Sequence, residues 1–193
     1  MKTTLAMIAV VGMAATAAQA DVVLQVDLSV PNQITISATP GLSAITASGG
    51  NTTGFYFAGI LGGAGGPSGT AIGTLVGPGT LTTFNNPSDG SPALYRGSAT
   101  DTGLNIWSFS TQSTVSFTAG TQAFAGSATY SIDPSLFAMF AGGATSGNVY
   151  FPADDAADLP TAQVIGQYTT VVPAPGALAL LGLGGLAAAR RRR

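Results

Sequence analysis

The chain has 193 residues and a formal net charge of −2, and it contains neither cysteine nor histidine. The absence of these two residues excludes disulfide bonds, zinc centres built on Cys and His, and Ser–His or Cys–His nucleophiles. Between residues 21 and 172 a single basic residue, Arg96, stands against all eight aspartates. Because binding to phosphates needs clustered Lys and Arg, we expect no nucleic-acid partner.

The N-terminal segment has the three parts of a secretory signal. Lys2 is followed by an apolar run and then by Ala18-Gln19-Ala20, whose two alanines are the small residues that a signal peptidase recognises. We therefore predict a signal peptide over residues 1–20, with Ala18 and Ala20 defining a cleavage site before Asp21. The alternative is a first transmembrane helix that the protein retains, but the apolar run is short for that role.

The region after the signal alternates apolar and polar residues with the period of a β-strand. This pattern holds over residues 22–30, breaks at Pro31-Asn32 and resumes at Ile34, which predicts a first hairpin. Further strand candidates, each short and bounded by turn residues, are 55–60, 71–76, 81–84, 104–109, 114–117, 123–132, 148–151 and 163–171. Many short strands joined by turns predict one all-β domain over residues 21–171, an antiparallel β-sandwich of jelly-roll type.

Residues 54–79 are rich in glycine and poor in charge, and two interpretations of them stay open. One is a long flexible surface loop, because few side chains are present to order it. The other is a self-associating segment, since the β-prone runs 55–57 and 72–76 lie within it. The segment has no G-x-G-x-x-G pattern and no Gly-Lys-Ser/Thr ending, so a phosphate-binding loop is not predicted.

Two aromatic residues are candidates for stacking on a sugar ring. Tyr95 and Trp107 carry flat apolar rings, and the nearby amides of Asn105 and Gln112 suit hydrogen bonds to sugar hydroxyls. Packing in the core is the alternative for a single tryptophan in a β-sandwich.

One short helix is predicted between the later strands. Asp133 is a suitable N-cap, Pro134 suits the first helical position, and Gly142 is a suitable end after the apolar residues Leu136 and Phe140. We expect the apolar face of this helix to lie over one end of the sheet.

Three carboxylates lie close together in sequence, between two prolines. Asp154, Asp155 and Asp158 supply hard oxygen ligands of the kind that calcium takes, although their spacing matches no EF-hand. The alternative is a solvated acidic loop, which leaves the protein without a cofactor.

The C-terminal residues combine a proline-bearing hinge, the apolar run 176–189 and a block of arginines. The hinge is Val172, Pro173, Ala174 and Pro175, and the basic block is Arg190, Arg191, Arg192 and Arg193. A helix over the apolar run spans about 21 Å against a hydrocarbon core of about 30 Å, so it barely crosses a bilayer. We predict a C-terminal transmembrane helix, separate from the body, whose arginines stay on the cytoplasmic side.

This tail, residues 172–193, resembles the PEP-CTERM sorting signal of exported proteins in Gram-negative bacteria that make extracellular polysaccharide. The family pattern is Val-Pro-Glu-Pro, a short hydrophobic helix and a basic end, and Ala174 stands at the position of the glutamate. The resemblance implies that an exosortase, a membrane cysteine transpeptidase, recognises and removes the tail. It also implies a location in the cell envelope, at the outer surface or in the extracellular matrix. A plain membrane anchor is the alternative.

Together, these patterns predict an exported, non-catalytic surface or matrix protein that associates with exopolysaccharide in a biofilm. A carbohydrate- or calcium-dependent binding module with a defined pocket is a second hypothesis, and a self-assembling structural protein is a third. A hydrolase that acts through a pair of aspartates is a fourth hypothesis. The resemblance covers only the tail, so it assigns no activity to the body.

Overall fold

The computed structural model of the protein describes residues 20–50, 54–85, 92–107 and 114–172. Within these ranges the chain forms fourteen strands and one helix, α1, Pro134–Ala141. The strands are β1 Val22–Asp27, β2 Gln33–Ala38, β3 Ala47–Gly50, β4 Phe55–Phe57, β5 Gly69–Thr70, β6 Gly73–Leu75, β7 Thr82–Thr83, β8 Ala93–Arg96, β9 Leu104–Trp107, β10 Thr114–Phe117, β11 Phe124–Ala125, β12 Ser127–Ile132, β13 Ser146–Phe151 and β14 Gln163–Val171. The protein is therefore mostly β in its described part, as the sequence predicts.

Both predicted terminal segments lie almost entirely outside the described residues. Of the signal peptide only Ala20 is described, and of the tail only Val172. Among the described residues, no helix combines the length and the apolar character needed to cross a bilayer. The predicted transmembrane helix over 176–189 falls outside the described ranges.

Ten strands form one sheet that nearly closes on itself. Their order is β5-β8-β9-β4-β13-β14-β1-β2-β12-β6. The end strands β5 and β6 are joined in the chain by Ala71 and Ile72 alone, and the Ile72 N–H donates to the Leu94 carbonyl of β8 at 3.2 Å. The pairs β3–β10 and β7–β11 form two separate two-stranded sheets.

One strand pair departs from the antiparallel arrangement that the sequence predicts. β1 and β14 run parallel, with Leu24 opposite Tyr168 and Asp27 opposite Val171. A parallel pair needs a long connection, and here the rest of the described fold supplies it. The alternation of apolar and polar residues is the same for both pairings, so the sequence pattern does not distinguish them.

The first hairpin is confirmed, with a shorter first strand than predicted. β1 and β2 are antiparallel, and Leu24 lies opposite Ala38. β1 ends at Asp27 because its carboxylate accepts the Ser29 N–H at 2.7 Å, which turns the chain before residue 30. Asn32 then completes the turn with a φ of 59°.

Aromatic rings join the three sheets in one core. The ring centroid of Phe55 in β4 lies 6.5 Å from that of Phe117 in β10 and 4.8 Å from that of Phe124 in β11. Phe117 also lies 5.1 Å from Phe151 in β13. These edge-on contacts between fully or almost fully buried rings hold the small sheets against the large one.

The predicted helix is confirmed with its caps. The Asp133 carboxylate accepts the Ser135 N–H at 2.8 Å, and Gly142 is the C-cap. Leu136 and Phe140 are buried, so the apolar face of α1 packs on the core.

The glycine-rich residues 54–79 are not one long loop. They contain β4, β5 and β6, and the N–H of Gly62 donates to the carbonyl of Met139 in α1 at 2.8 Å. Phe55, Phe57, Ile60 and Leu61 pack in the core, and contacts with α1 and Arg96 help to order the glycine-rich stretch 62–67 between the strands.

Candidate functional site

Four polar-tipped residues lie side by side on four neighbouring strands of the large sheet. Tyr95 of β8 pairs with Asn105 of β9, Asn105 pairs with Tyr56 of β4, and Tyr56 pairs with Tyr150 of β13. Directly paired residues share one face of a sheet. We call Tyr95, Asn105, Tyr56 and Tyr150 the polar row.

Two loops cover the middle of the polar row. Tyr56 is 1% exposed, and its phenol donates a hydrogen bond to Asp101 Oδ1 in the loop of residues 97–103. Asn105 is fully buried, and its amide donates to the Ala153 carbonyl at 2.5 Å, in the segment 152–158. Tyr95 and Tyr150, at the ends of the row, are half-buried.

Arg96 is the last residue of β8, and its guanidinium is fully buried. Nε and Nη2 donate to the carbonyl oxygen of Asp101 at 2.8 and 2.6 Å, and Nη2 also donates to that of Ala99 at 3.0 Å. Nη1 donates to the carbonyls of Gly65 at 2.5 Å and Pro67 at 3.1 Å. Burial lowers the pKa of Arg96, and the nearby charge of Asp101 opposes that change.

The Asp101 side chain is 8% exposed, and its two carboxylate oxygens differ. Oδ1 accepts hydrogen bonds from the Tyr56 phenol and, at 2.8 Å, from the Gly103 N–H. Oδ2 is buried and has no hydrogen-bond partner among the described residues. Burial, the hydrogen bond to Asp101 and the charges of Asp101 and Asp155 together raise the pKa of Tyr56 far above its usual value. Tyr56 is therefore a neutral donor here.

A cleft of about 260 Å³ opens beside Asp101. It is lined by Ser98, Thr100, Asp101, Asp155, Ala156 and Ala157, and we call it the aspartate cleft. The loop that carries Asp155 comes close to residue 97, because a Cβ on Gly97 would lie 3.1 Å from the Cβ of Asp155. Two carboxylates and two hydroxyls make the cleft suitable for a cation or for a ligand rich in hydroxyl groups.

The three carboxylates predicted to bind calcium have separate roles in the structure. Asp158 Oδ2 accepts the Asp154 N–H at 2.8 Å, and Asp155 Oδ1 accepts the Ala157 N–H at 2.7 Å. Burial, followed by the charges of Asp158 and Asp155, raises the pKa of Asp154. Within the described ranges, no three acidic residues come together as a group that could hold a metal ion. Asp155 is the member of this set that lines the aspartate cleft.

The predicted sugar contacts lie on adjacent strands. β8 and β9 place Tyr95 opposite Asn105 and Trp107 opposite Ala93. Gln112 lies outside the described residues. Of the predicted processing residues, Ala20 and Val172 are described and Val172 is exposed, whereas Ala18, Pro173, Ala174, Pro175 and Arg190, Arg191, Arg192, Arg193 lie outside the described ranges.

The sequence reasoning did not identify Tyr56, Asp101 or Arg96 as parts of a site. The sequence feature that could have indicated the site is Arg96, because a lone basic residue among eight aspartates is a natural centre for polar contacts. Its partners are backbone carbonyls, which no side-chain pattern marks. Comparison of the chain with known protein families, with curated proteins and with solved structures finds no match.

Proposed function

We propose that the protein is an exported, non-catalytic component of the cell surface or extracellular matrix that associates with exopolysaccharide. The observation that carries the proposal is the tail, with its hinge at residues 172–175, its apolar run 176–189 and its four arginines at 190–193. In this proposal a signal peptidase removes residues 1–20, and an exosortase-type transpeptidase removes the tail. The apolar run holds the protein in the membrane until the tail is removed.

The limits of the sheet support separate roles for the termini. β1 begins at Val22, one residue after the predicted cleavage site, with Asp21 between them, and β14 ends at Val171, directly before the hinge. Val171 and Val172 are each 39% exposed, so the chain leaves the core at this point. Removal of residues 1–20 and 172–193 therefore leaves every described strand in place.

The body in this proposal is a β-sandwich of jelly-roll type. The contacts of Phe55 with Phe117 and Phe124 support two packed layers, because they join β4 of the large sheet to β10 and β11 of the small ones. Antiparallel strands with one face on a core and one in water are typical of such layers.

An uncharged surface on β2 and β12 supports the association with polysaccharide. Ser37 pairs with Ser127 and Thr35 with Thr129, and the hydroxyls of Thr35 and Thr129 lie 2.9 Å apart. We call these four residues, together with exposed Ser131, the hydroxyl face. Short hydroxyl side chains donate and accept hydrogen bonds and lose little rotamer entropy when they bind a sugar polymer.

The route to the surface is tested by the intact mass of the protein recovered from cells and from culture medium. We expect the exported form to begin at Asp21 and to lack the arginine block. Recovery of the protein from the cytosol with both Met1 and Arg193 present would overturn the proposal.

Binding is tested by co-sedimentation of the full chain, purified in detergent, with the exopolysaccharide of the producing cells. The double variant Thr35→Val/Thr129→Val removes two hydroxyls from the hydroxyl face and should reduce the bound fraction several-fold. Thr145→Val, which alters an exposed threonine elsewhere, is the matched control. Equal binding by all three proteins would contradict a role for the hydroxyl face.

The aspartate cleft favours a second candidate function, a carbohydrate- or calcium-dependent binding module with a defined pocket. Tyr95 and Trp107 are the predicted sugar contacts of such a module and lie outside the lining of the cleft, and Tyr95→Ala should abolish saturable binding to short oligosaccharides. Turnover of a polysaccharide that Asp155→Asn abolishes without loss of fold would instead identify a hydrolase.

A further inference from the structure

We propose that the aspartate cleft is a calcium site, in which Asp101 and Asp155 are the charged ligands and Ser98 and Thr100 supply further oxygens. This inference deepens the second candidate function, on which it rests, and it does not depend on the association with polysaccharide. It also differs from the site that the sequence suggests, because only Asp155 is shared with the set Asp154, Asp155 and Asp158.

The first argument is the state of the Asp101 carboxylate. More than nine-tenths of the side chain is buried, and it lines the cleft. Oδ1 is held by the Tyr56 phenol and the Gly103 N–H, whereas the buried Oδ2 has no hydrogen-bond partner in the described part of the chain. A carboxylate oxygen that is buried without a partner is strongly unfavourable, and a cation that enters from the cleft and reaches Oδ2 would remove that cost.

The second argument is that Arg96 does not fill this role. In the described part of the chain, the hydrogen bonds from Arg96 to oxygen all go to backbone carbonyls, those of Asp101, Gly65, Pro67 and Ala99. The guanidinium thus attracts the Asp101 carboxylate electrostatically but forms no hydrogen bond with it. Asp101 and Asp155 both line the cleft, so two carboxylates face this single guanidinium in its neighbourhood.

The third argument is the chemistry of the donors, which selects the ion. The cleft presents oxygen atoms only, from two carboxylates and two hydroxyls, and the chain has no histidine or cysteine for a softer metal. The ligands come from two loops, 97–103 and 152–158, and calcium accepts such irregular shells with waters completing them. Magnesium demands a nearly ideal octahedron and dehydrates reluctantly, so it fits less well.

The site has a structural consequence. Asp155 is oriented by the Ala157 N–H at 2.7 Å, and Asp101 is held by Tyr56, so a shared ion would fasten the acidic loop to the loop after β8. In a chain without cysteine, this ion takes the place that a disulfide has in many exported proteins. With few charged ligands, we expect a dissociation constant of about 10⁻⁴ to 10⁻³ M, the range of extracellular calcium modules.

The experiment uses the full chain, purified in detergent and freed of metal with a chelator, without polysaccharide. Titration with CaCl₂ in a calorimeter should give saturable binding. At ten times the dissociation constant, the melting temperature should rise by about 3–6 °C. MgCl₂ should produce a smaller rise. Because no polysaccharide is present, failure here leaves the proposed surface function untouched.

Asp155→Asn is the deciding variant, because it removes one charged ligand and keeps an oxygen that accepts the Ala157 N–H. It should abolish both the heat of binding and the calcium-dependent rise. Asp133→Asn removes the same charge at the distant helix cap, where asparagine caps as well as aspartate, and it should bind calcium like the parent. Asp101→Asn should also lose binding, with far-UV circular dichroism checking that it folds.

Three results would overturn the proposal. The first is the absence of saturable binding by the parent chain. The second is binding by Asp155→Asn with the parent affinity. The third is a loss of binding in Asp158→Asn together with retained binding in Asp101→Asn. That result would show that the ion binds within the loop 152–158 alone.

Discussion

The guanidinium of Arg96 donates from both Nε and Nη2 to one atom, the backbone carbonyl oxygen of Asp101, at 2.8 and 2.6 Å. Nη1 of the same group reaches the carbonyls of Gly65 and Pro67. A single fully buried cation therefore joins the loop after β8 to the glycine-rich segment. The planar fork of arginine makes these simultaneous contacts, which a point-like ammonium group does not.

Arg96→Lys should destabilise the protein by about 3 kcal/mol or more, although the charge is retained. The ammonium group has three donors at one point, so several of the buried carbonyls would lose their hydrogen bonds. Urea unfolding measures the loss, and hydrogen exchange should show faster exchange in residues 62–69. An unchanged unfolding midpoint would mean that the carbonyls find other partners.

Tyr56→Phe should make the protein less stable near pH 8, by about 1–3 kcal/mol, because Asp101 Oδ1 loses a donor. Tyr150→Phe is the control, since that half-buried hydroxyl accepts only a 3.3 Å hydrogen bond from the Asn148 amide. If Tyr150→Phe lowered the free energy of unfolding as much as Tyr56→Phe does, the hydrogen bond to Asp101 would not stabilise the fold more than an ordinary tyrosine contact.

The same variant tests a dependence on alkaline pH. Burial first, then Asp101, raises the pKa of Tyr56 from 10.0, and burial raises that of Tyr168 to about 12. Below pH 10 the Tyr56 phenol is protonated in both the folded and the unfolded protein. Above pH 10 the phenol ionises in the unfolded protein before it does so in the folded one, so the free energy of unfolding falls as pH rises. The difference between parent and Tyr56→Phe should therefore narrow by about 1.4 kcal/mol per pH unit above 10. A constant difference from pH 8 to 12 would contradict this.

Gly103→Ala should cost about 1–3 kcal/mol, because a Cβ at this position would overlap the phenol ring of Tyr56. Gly142→Ala is the matched control: its Cβ would lie at an ordinary contact distance, 3.4 Å, from the Ala138 carbonyl oxygen, and the φ of Gly142 is −95°. Thermal unfolding of both variants gives the comparison. Equal melting temperatures would mean that loop 97–103 moves away from Tyr56 without cost.

Asp154→Asn should stabilise the protein slightly at pH 7, by up to about 0.5 kcal/mol. Burial, then the charges of Asp158 and Asp155, raises the pKa of Asp154 in the folded state from 3.8. At pH 7 the folded state therefore holds an unfavourable charge, and the disadvantage disappears as pH falls through the raised pKa. Urea midpoints at pH 7, 5 and 4, in chelator, should show the gain shrinking.

Asp133→Asn should change stability in the opposite direction in the same urea measurements at pH 7, 5 and 4. Hydrogen bonds from the Ser135 hydroxyl and N–H lower the pKa of Asp133, so its charge stabilises the fold at pH 7. That contribution is lost as pH falls through the lowered pKa. A gain in Asp154→Asn that persists at pH 4 would count against the electrostatic explanation.

Local patterns predicted the elements that local forces decide. The bounds of β10 and β14 follow from alternating residues between turns, and α1 follows from the side-chain cap at Asp133 and the glycine at 142. β3, Ala47–Gly50, was missed because it has no apolar alternation and exists through its pairing with β10. β8 was missed since its four residues hold Leu94 as the one large apolar side chain on the core.

The candidate site was beyond prediction for a different reason. Asp101 and Asp155 are far apart in sequence, and the fold of the loops 97–103 and 152–158 brings both to one cleft. Short sequence spacing instead favoured Asp154, Asp155 and Asp158, of which Asp158 accepts a backbone N–H within its own loop. Proximity in the chain was a poor guide to proximity in space.

The parallel pairing of β1 with β14 has a consequence for how the chain folds. β1 pairs with β2 across a short turn, but its other neighbour is β14, the last described strand. During synthesis, which starts at the N-terminus, the second edge of β1 therefore stays unpaired until β14 has been made. The entropy of closing so long a loop is lost before the contacts of β1 with β14 form, and this slows folding. An exposed strand edge can also pair with other chains. The sheet reaches its final order only after residue 171 has emerged, which makes protection of the nascent chain part of its biogenesis.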